Sequence, residues 1–179
     1  EEDHEVGQMI DIYIRKEIDC KKIKENFEKS IIDNAGLMVS TVKGYASHES
    51  EVLTQVSEAR ASAGGQINIS EDVLNNPEAF AKYQQIQDNL GASLQRLLMV
   101  TEQYPDLKAD QNFLALQDQL EGTDNILAIA SKWFNDVVKE YNITIREFPG
   151  HLLANMSGFD KKQSFTASSD AQSAPKVEF

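Results

Sequence analysis

The sequence predicts an all-α protein, an elongated up-and-down antiparallel four-helix bundle. Apolar residues recur at helical spacing over long runs, and start and stop signals punctuate those runs. The composition, 41% hydrophobic and 26% charged over 179 residues, suits one globular core that needs neither disulfide nor metal.

The first helix is expected over about residues 4–33, where Val6, Ile10, Tyr13, Cys20, Ile23, Phe27 and Ile31 form a stripe, and Asp33-Asn34-Ala35-Gly36 reads as its stop. A second, over about 37–63, carries Met38, Val42, Tyr45, Glu49, Val52, Val56, Ala59 and Ala63 at alternating steps of four and three. The step from Ile31 to Met38 keeps phase, so one bent helix from the N-terminus to Ala63 is the alternative. Gly64-Gly65 and the polar stretch to Asn75 form a long connection.

The third helix, about 77–104, has Asn76 as N-cap and Pro77 in its first turn, and Pro105 closes it. Its stripe is Phe80, Tyr83, Gln87, Leu90, Leu94, Leu97, Thr101 and Tyr104. The fourth, about 110–148, starts at Asp110 and carries Phe113, Leu116, Leu120, Thr123, Leu127, Ala130, Phe134, Val137, Tyr141 and Phe148 to a stop at Pro149-Gly150. Residues 151–166 are expected as a short cap over the bundle end, giving a single domain of 1–166. Residues 167–179 have the composition of a flexible tail.

Within this frame Trp133 is expected in the core, and Glu49, Gln87 and Thr123 in a polar band at mid-bundle. Gly91 and Gly122, each costing about 1 kcal/mol relative to alanine inside a helix, are expected where two helices approach closely.

The chemistry-bearing residues are sparse. A formal charge of −12 argues against nucleic acid, which demands clustered Lys and Arg, and it disfavours anionic membrane surfaces. Cys20, the single cysteine, permits neither an internal disulfide nor a Cys-rich zinc site and suits a small buried position. Of His4, His48 and His151 only His4 has a glutamate, Glu1, three residues before it, where a di-metal bundle requires two such pairs. His48 and Glu49, adjacent on a helix, point about 100° apart and do not face each other as an acid and base would. No cofactor and no catalytic residue is expected; a small-ligand receptor or hydrolase built around Glu49 and His48 in a pocket between helices is the alternative.

Thr41-Val42-Lys43-Gly44-Tyr45-Ala46-Ser47-His48-Glu49 resembles the TVKGYAxHE signature of LemA proteins. Tyr104-Pro105-Asp106-Leu107-Lys108-Ala109 resembles that family's YPDLKA turn, and Phe113 through Leu120-Glu121-Gly122-Thr123-Asp124-Asn125 its FLxLQxxLEGTEN element. Tyr141-Asn142, Phe148-Pro149-Gly150 and the terminal Ala174-Pro175-Lys176-Val177 match in order. Upstream the chain departs from the family pattern, with Gly36 where a proline usually stands. The resemblance implies a bacterial helical-bundle protein with no known enzymatic activity and an N-terminal membrane anchor missing from this chain. Its function would be that of a structural or protein-interaction module with unidentified protein partners; no oligomeric state follows. The first 14 residues hold no Lys or Arg, which favours an extracytoplasmic soluble domain over a cytoplasmic one.

Overall fold

The computed structural model describes residues 2–65 and 69–166. All regular structure among them is helical: α1 (Glu2–Tyr45), α2 (Ser50–Gly64), α3 (Glu71–Asn75), α4 (Pro77–Thr101), α5 (Pro105–Lys108), α6 (Gln111–Thr144) and α7 (Gly150–Ser157). The expected tail at 167–179 lies outside the described residues, as does part of the connection after Gly65.

The first two expected helices are divided elsewhere than the sequence suggests. α1 continues unbroken for 44 residues, about 66 Å, through the expected stop at Asp33–Gly36. The chain turns instead at Ala46–Glu49, so neither the break at 33 nor the single helix to Ala63 is what forms. Asn34 and Ala35 are buried on the inner face of α1. Gly36 serves α2 rather than a turn: a Cβ there would lie 2.9 Å from the Arg60 guanidinium, whose Nε donates to the Ile32 carbonyl at 2.7 Å.

The other boundaries follow local chemistry. Asn76 Oδ1 accepts from the backbone N–H groups of Glu78 and Ala79, and Asp110 Oδ1 from those of Asn112 and Phe113, so each caps the helix the sequence assigns to it. α6 ends at Thr144, four residues short of the expected 148, and Phe148 is 81% exposed rather than in the stripe.

Three clusters of buried side chains follow one another along α1. Ile10 meets Tyr141, Ile145 and Ala154; Cys20 meets Phe80, Tyr83, Phe134 and Val138; and Met38 and Val42 meet Leu53, Val56, Leu97 and Phe113. α6 therefore runs against α1, and α4 with it. α2 turns back along α1, bonding Glu49 to Tyr104 and Gln55 to Arg96, and so runs against α4. It covers only the half of the bundle near the Ala46 turn. The other half is closed by Ile69, α3 and the stretch 159–166, which runs lengthwise along the helices instead of capping them; only α7 caps the end.

Trp133 is 53% exposed, because it precedes buried Phe134 by one position and so points about 100° away from the core. Glu49 stands at the turn beside Tyr104, not level with Gln87 and Thr123, so no mid-bundle band of the three exists. An added Cβ at Gly91 or Gly122 meets nothing within 4 Å, so neither marks a close approach. Gly91→Ala and Gly122→Ala are each expected to raise the unfolding free energy by up to about 1 kcal/mol, read as a higher urea midpoint at unchanged slope.

Candidate functional site

The inner face of α1 is not uniformly apolar. Glu17, Lys24 and Glu28 occupy core positions with 2%, 6% and 2% of their surface exposed, where the sequence pattern places Ile23 and Phe27. Glu28 accepts from the Lys24 ammonium and from the Tyr83 hydroxyl of α4, so charge and hydroxyl are both satisfied. Lys24 Nζ also lies 4.4 Å from the centre of the Phe165 ring. A second ionic group is built around Lys162, whose Nζ donates to Glu17 Oε2 at 2.7 Å and to Glu71 Oε2 at 3.0 Å. Neither network is visible as a motif, because their members come from distant parts of the chain.

Lys162 and Phe165 belong to the extended stretch 159–166, which lies along α6. Asn142 Oδ1 accepts from the Lys162 N–H and its Nδ2 donates to the Lys162 carbonyl, both at 2.9 Å. Asn135 does the same for the N–H and carbonyl of Phe165, both at 2.8 Å. From α4, Gln84 Nε2 donates to the Thr166 carbonyl at 2.6 Å. Tyr141 donates its hydroxyl to the Asp160 carbonyl at 3.1 Å, and the Gln163 N–H reaches the Leu74 carbonyl at 3.0 Å. The Phe165 ring sits 4.8 Å from Phe80 and 5.0 Å from Phe134, centre to centre. Beyond Thr166 the space between α4 and α6 continues as an open cleft of about 730 Å³, lined by Gln87, Leu94, Leu98, Leu120, Asp124 and Leu127. Gln87 Nε2 is buried there without a hydrogen-bond partner among the described residues.

The motif residues separate into two places. At one end of the bundle, Val42 and Ala46 are buried, the Tyr45 hydroxyl donates to Asp110 Oδ2 at 2.7 Å, and the Tyr104 hydroxyl donates to Glu49 Oε1 at 2.9 Å. The bond from Tyr45 and the backbone N–H of Phe113 hold the Asp110 carboxyl below its usual range. Thr41 returns its hydroxyl to the Leu37 carbonyl at 3.0 Å, Pro105 opens α5, and Lys43, Gly44 and His48 are exposed. Tyr141 and Asn142 instead hold the extended stretch. Pro149 and Gly150 make the corner between α6 and α7, and Gly122 faces open space. Glu49 and His48 are not brought together as a reacting pair: Glu49 is bonded to Tyr104 and His48 faces outward.

Burial, followed by the charge and hydrogen bond of Glu28, pushes the Tyr83 hydroxyl far above its ordinary value of 10.0. Burial alone lowers Lys162, but its bonds to Glu17 and Glu71 and their charges outweigh this and hold it above 10.5. Both groups keep their protons in the folded chain where the unfolded chain releases them. The stability they contribute is therefore complete below about pH 10 and is lost as pH rises towards the folded values. Urea midpoints are expected to fall steeply between roughly pH 10 and 11, and Tyr83→Phe to flatten that fall.

These features define an all-helical, elongated protein whose polar core residues tie helices and an extended stretch together. Among the described residues no group of three His, Cys, Asp or Glu side chains is placed to hold a metal, and no helix is long and apolar enough to cross a membrane. Residues 21–179 match the LemA family model, and the chain belongs to the LemA family. It is similar to magnetosome proteins MamQ 1 and MamQ 2 of Paramagnetospirillum magneticum, each 29% identical over 75 residues, 42% of this chain. MamQ of Magnetospirillum gryphiswaldense is 28% identical over the same length. The match spans 28% of each of those proteins.

Proposed function

We propose that this chain is the non-catalytic domain of a membrane-anchored protein, an up-and-down bundle of α1, α2, α4 and α6 that presents rigid surface to protein partners, with the bundle outside the cytoplasm. The observation that carries this reading is the engagement of its polar groups in architecture. Glu49, the carboxylate that chemistry would most readily use, is bonded by Tyr104, while Glu17, Lys24, Glu28 and Lys162 hold α1 to α4 and to the stretch 159–166. Family membership and the similarity to magnetosome proteins support the membrane setting.

Crosslinking the full-length protein in its native membrane tests this reading. A reproducible, discrete set of partner proteins is the expected result; recovery of the protein alone overturns it. The cleft of about 730 Å³ favours a second reading, a receptor for a small ligand. That reading requires a compound that raises the melting temperature of the protein by mass action.

A further inference from the structure

The stretch 159–166 is held as a peptide ligand is held. Two-way amide contacts from Asn135 and Asn142 reach only backbone atoms, and so grip an extended chain whatever its side chains. The spacing suits such a grip, because seven residues on α6 advance about 10.5 Å while three residues of extended chain from Lys162 to Phe165 advance about 10 Å. Helix and peptide therefore stay in register through two clamps. Selectivity resides in two side-chain sites, an acidic one where Glu17 and Glu71 receive an ammonium, and an aromatic one where Phe80, Tyr83 and Phe134 surround a ring.

The stretch is joined to α7 by a single tight turn. It follows Gly158, whose left-handed backbone (φ 70°) ends α7, and it has no helix or strand of its own. The cleft continues past its described end at Thr166, so a peptide carrying apolar residues after the aromatic one reaches Leu94, Leu98 and Leu120 as well.

We propose that the α4–α6 cleft is a receptor for an extended segment of a partner protein, one bearing a lysine three residues before an aromatic residue, and that residues 159–166 are its displaceable internal occupant. This rests on the reading of the protein as an interaction module and names the site and the partner chemistry. The acidic site and the charge of −12 select the cation. The main-chain grip is recognition of the kind in which extended peptides join an exposed edge, with amide side chains replacing the edge strand.

The test uses the full chain and a fluorescent synthetic peptide with the sequence of residues 159–166. In a chain whose own stretch is disabled by Lys162→Ser and Phe165→Ser, the peptide binds saturably. Exchanging the peptide's first-site lysine, the counterpart of Lys162, for glutamate weakens binding at least about tenfold, and adding Asn135→Leu and Asn142→Leu to the chain abolishes it. No saturable binding by a folded variant overturns the proposal. Should that variant not fold, hydrogen exchange in the unmodified chain decides: the amides of Lys162 and Phe165 must exchange faster than those of buried α1 residues such as Met38. Equal rates mean the stretch leaves only on global unfolding, which overturns the proposal. Concentration-dependent dimers dissolved by the peptide assign the cleft to a second copy and likewise overturn the partner. If crosslinking in the native membrane still recovers a discrete partner set after Asn135→Leu and Asn142→Leu, the module reading stands while this inference fails.

Discussion

Glu28→Ala is expected to lower the unfolding free energy by about 3 to 5 kcal/mol, the range for removing one partner of a buried ion pair. The carboxylate is 2% exposed and serves two groups, the Lys24 ammonium and the Tyr83 hydroxyl, which its loss leaves in the core without an acceptor. The cost lies in the stranded partners rather than in the pair itself. Replacing Lys24, Glu28 and Tyr83 together by Met, Leu and Phe is therefore expected to recover most of the loss, because no unpaired charge remains. Chemical denaturation of the single and triple variants checks both statements; a triple variant as unstable as Glu28→Ala contradicts the argument.

Gly150→Ala carries the second large effect. A Cβ at Gly150 would stand 2.0 Å from the Thr144 carbonyl oxygen and 3.4 Å from Val6 Cγ1. The obstructing oxygen is backbone at the C-terminus of α6, so no side chain can swing aside, and α7 has to move away from the end of α6. Overpacking of this kind costs about 1 to 3 kcal/mol, and the rigid obstacle puts the expected value at the top of that range. The damage is local to the corner. Proteolysis is expected to cut near α7 in the variant while α4 stays protected, and a variant as resistant as the parent chain refutes the account.

Legibility in the sequence followed the range of the interactions. Asn76 and Asp110 were readable as caps because each acts on backbone groups two and three residues away. The break assigned to Asp33–Gly36 failed because glycine has two uses, and this one makes room for Arg60, 28 residues beyond the carbonyl that Arg60 reaches. The ionic positions of α1 were unreadable for the same reason. Glu28 finds Tyr83 at a separation of 55 residues and Glu17 finds Lys162 at 145, and without those partners Lys24 and Glu28 read as a solvated pair one turn apart. Tyr141 and Asn142 match the family pattern, but their bonds to residues 160 and 162 span 19 and 20 residues, and no local signal places the extended stretch against them.

The length of α1 sets a distance as well as a fold. Its 44 residues form one hydrogen-bonded rod of about 66 Å without a proline, so a load or torque applied near Glu2 is delivered to Tyr45 with little loss to bending. α6 braces that rod over much of its span through the contacts of Tyr141, Phe134 and Phe113. The corner of Tyr45, Glu49, Tyr104 and Asp110 is thereby held at a set stand-off of about 66 Å from the Glu2 end.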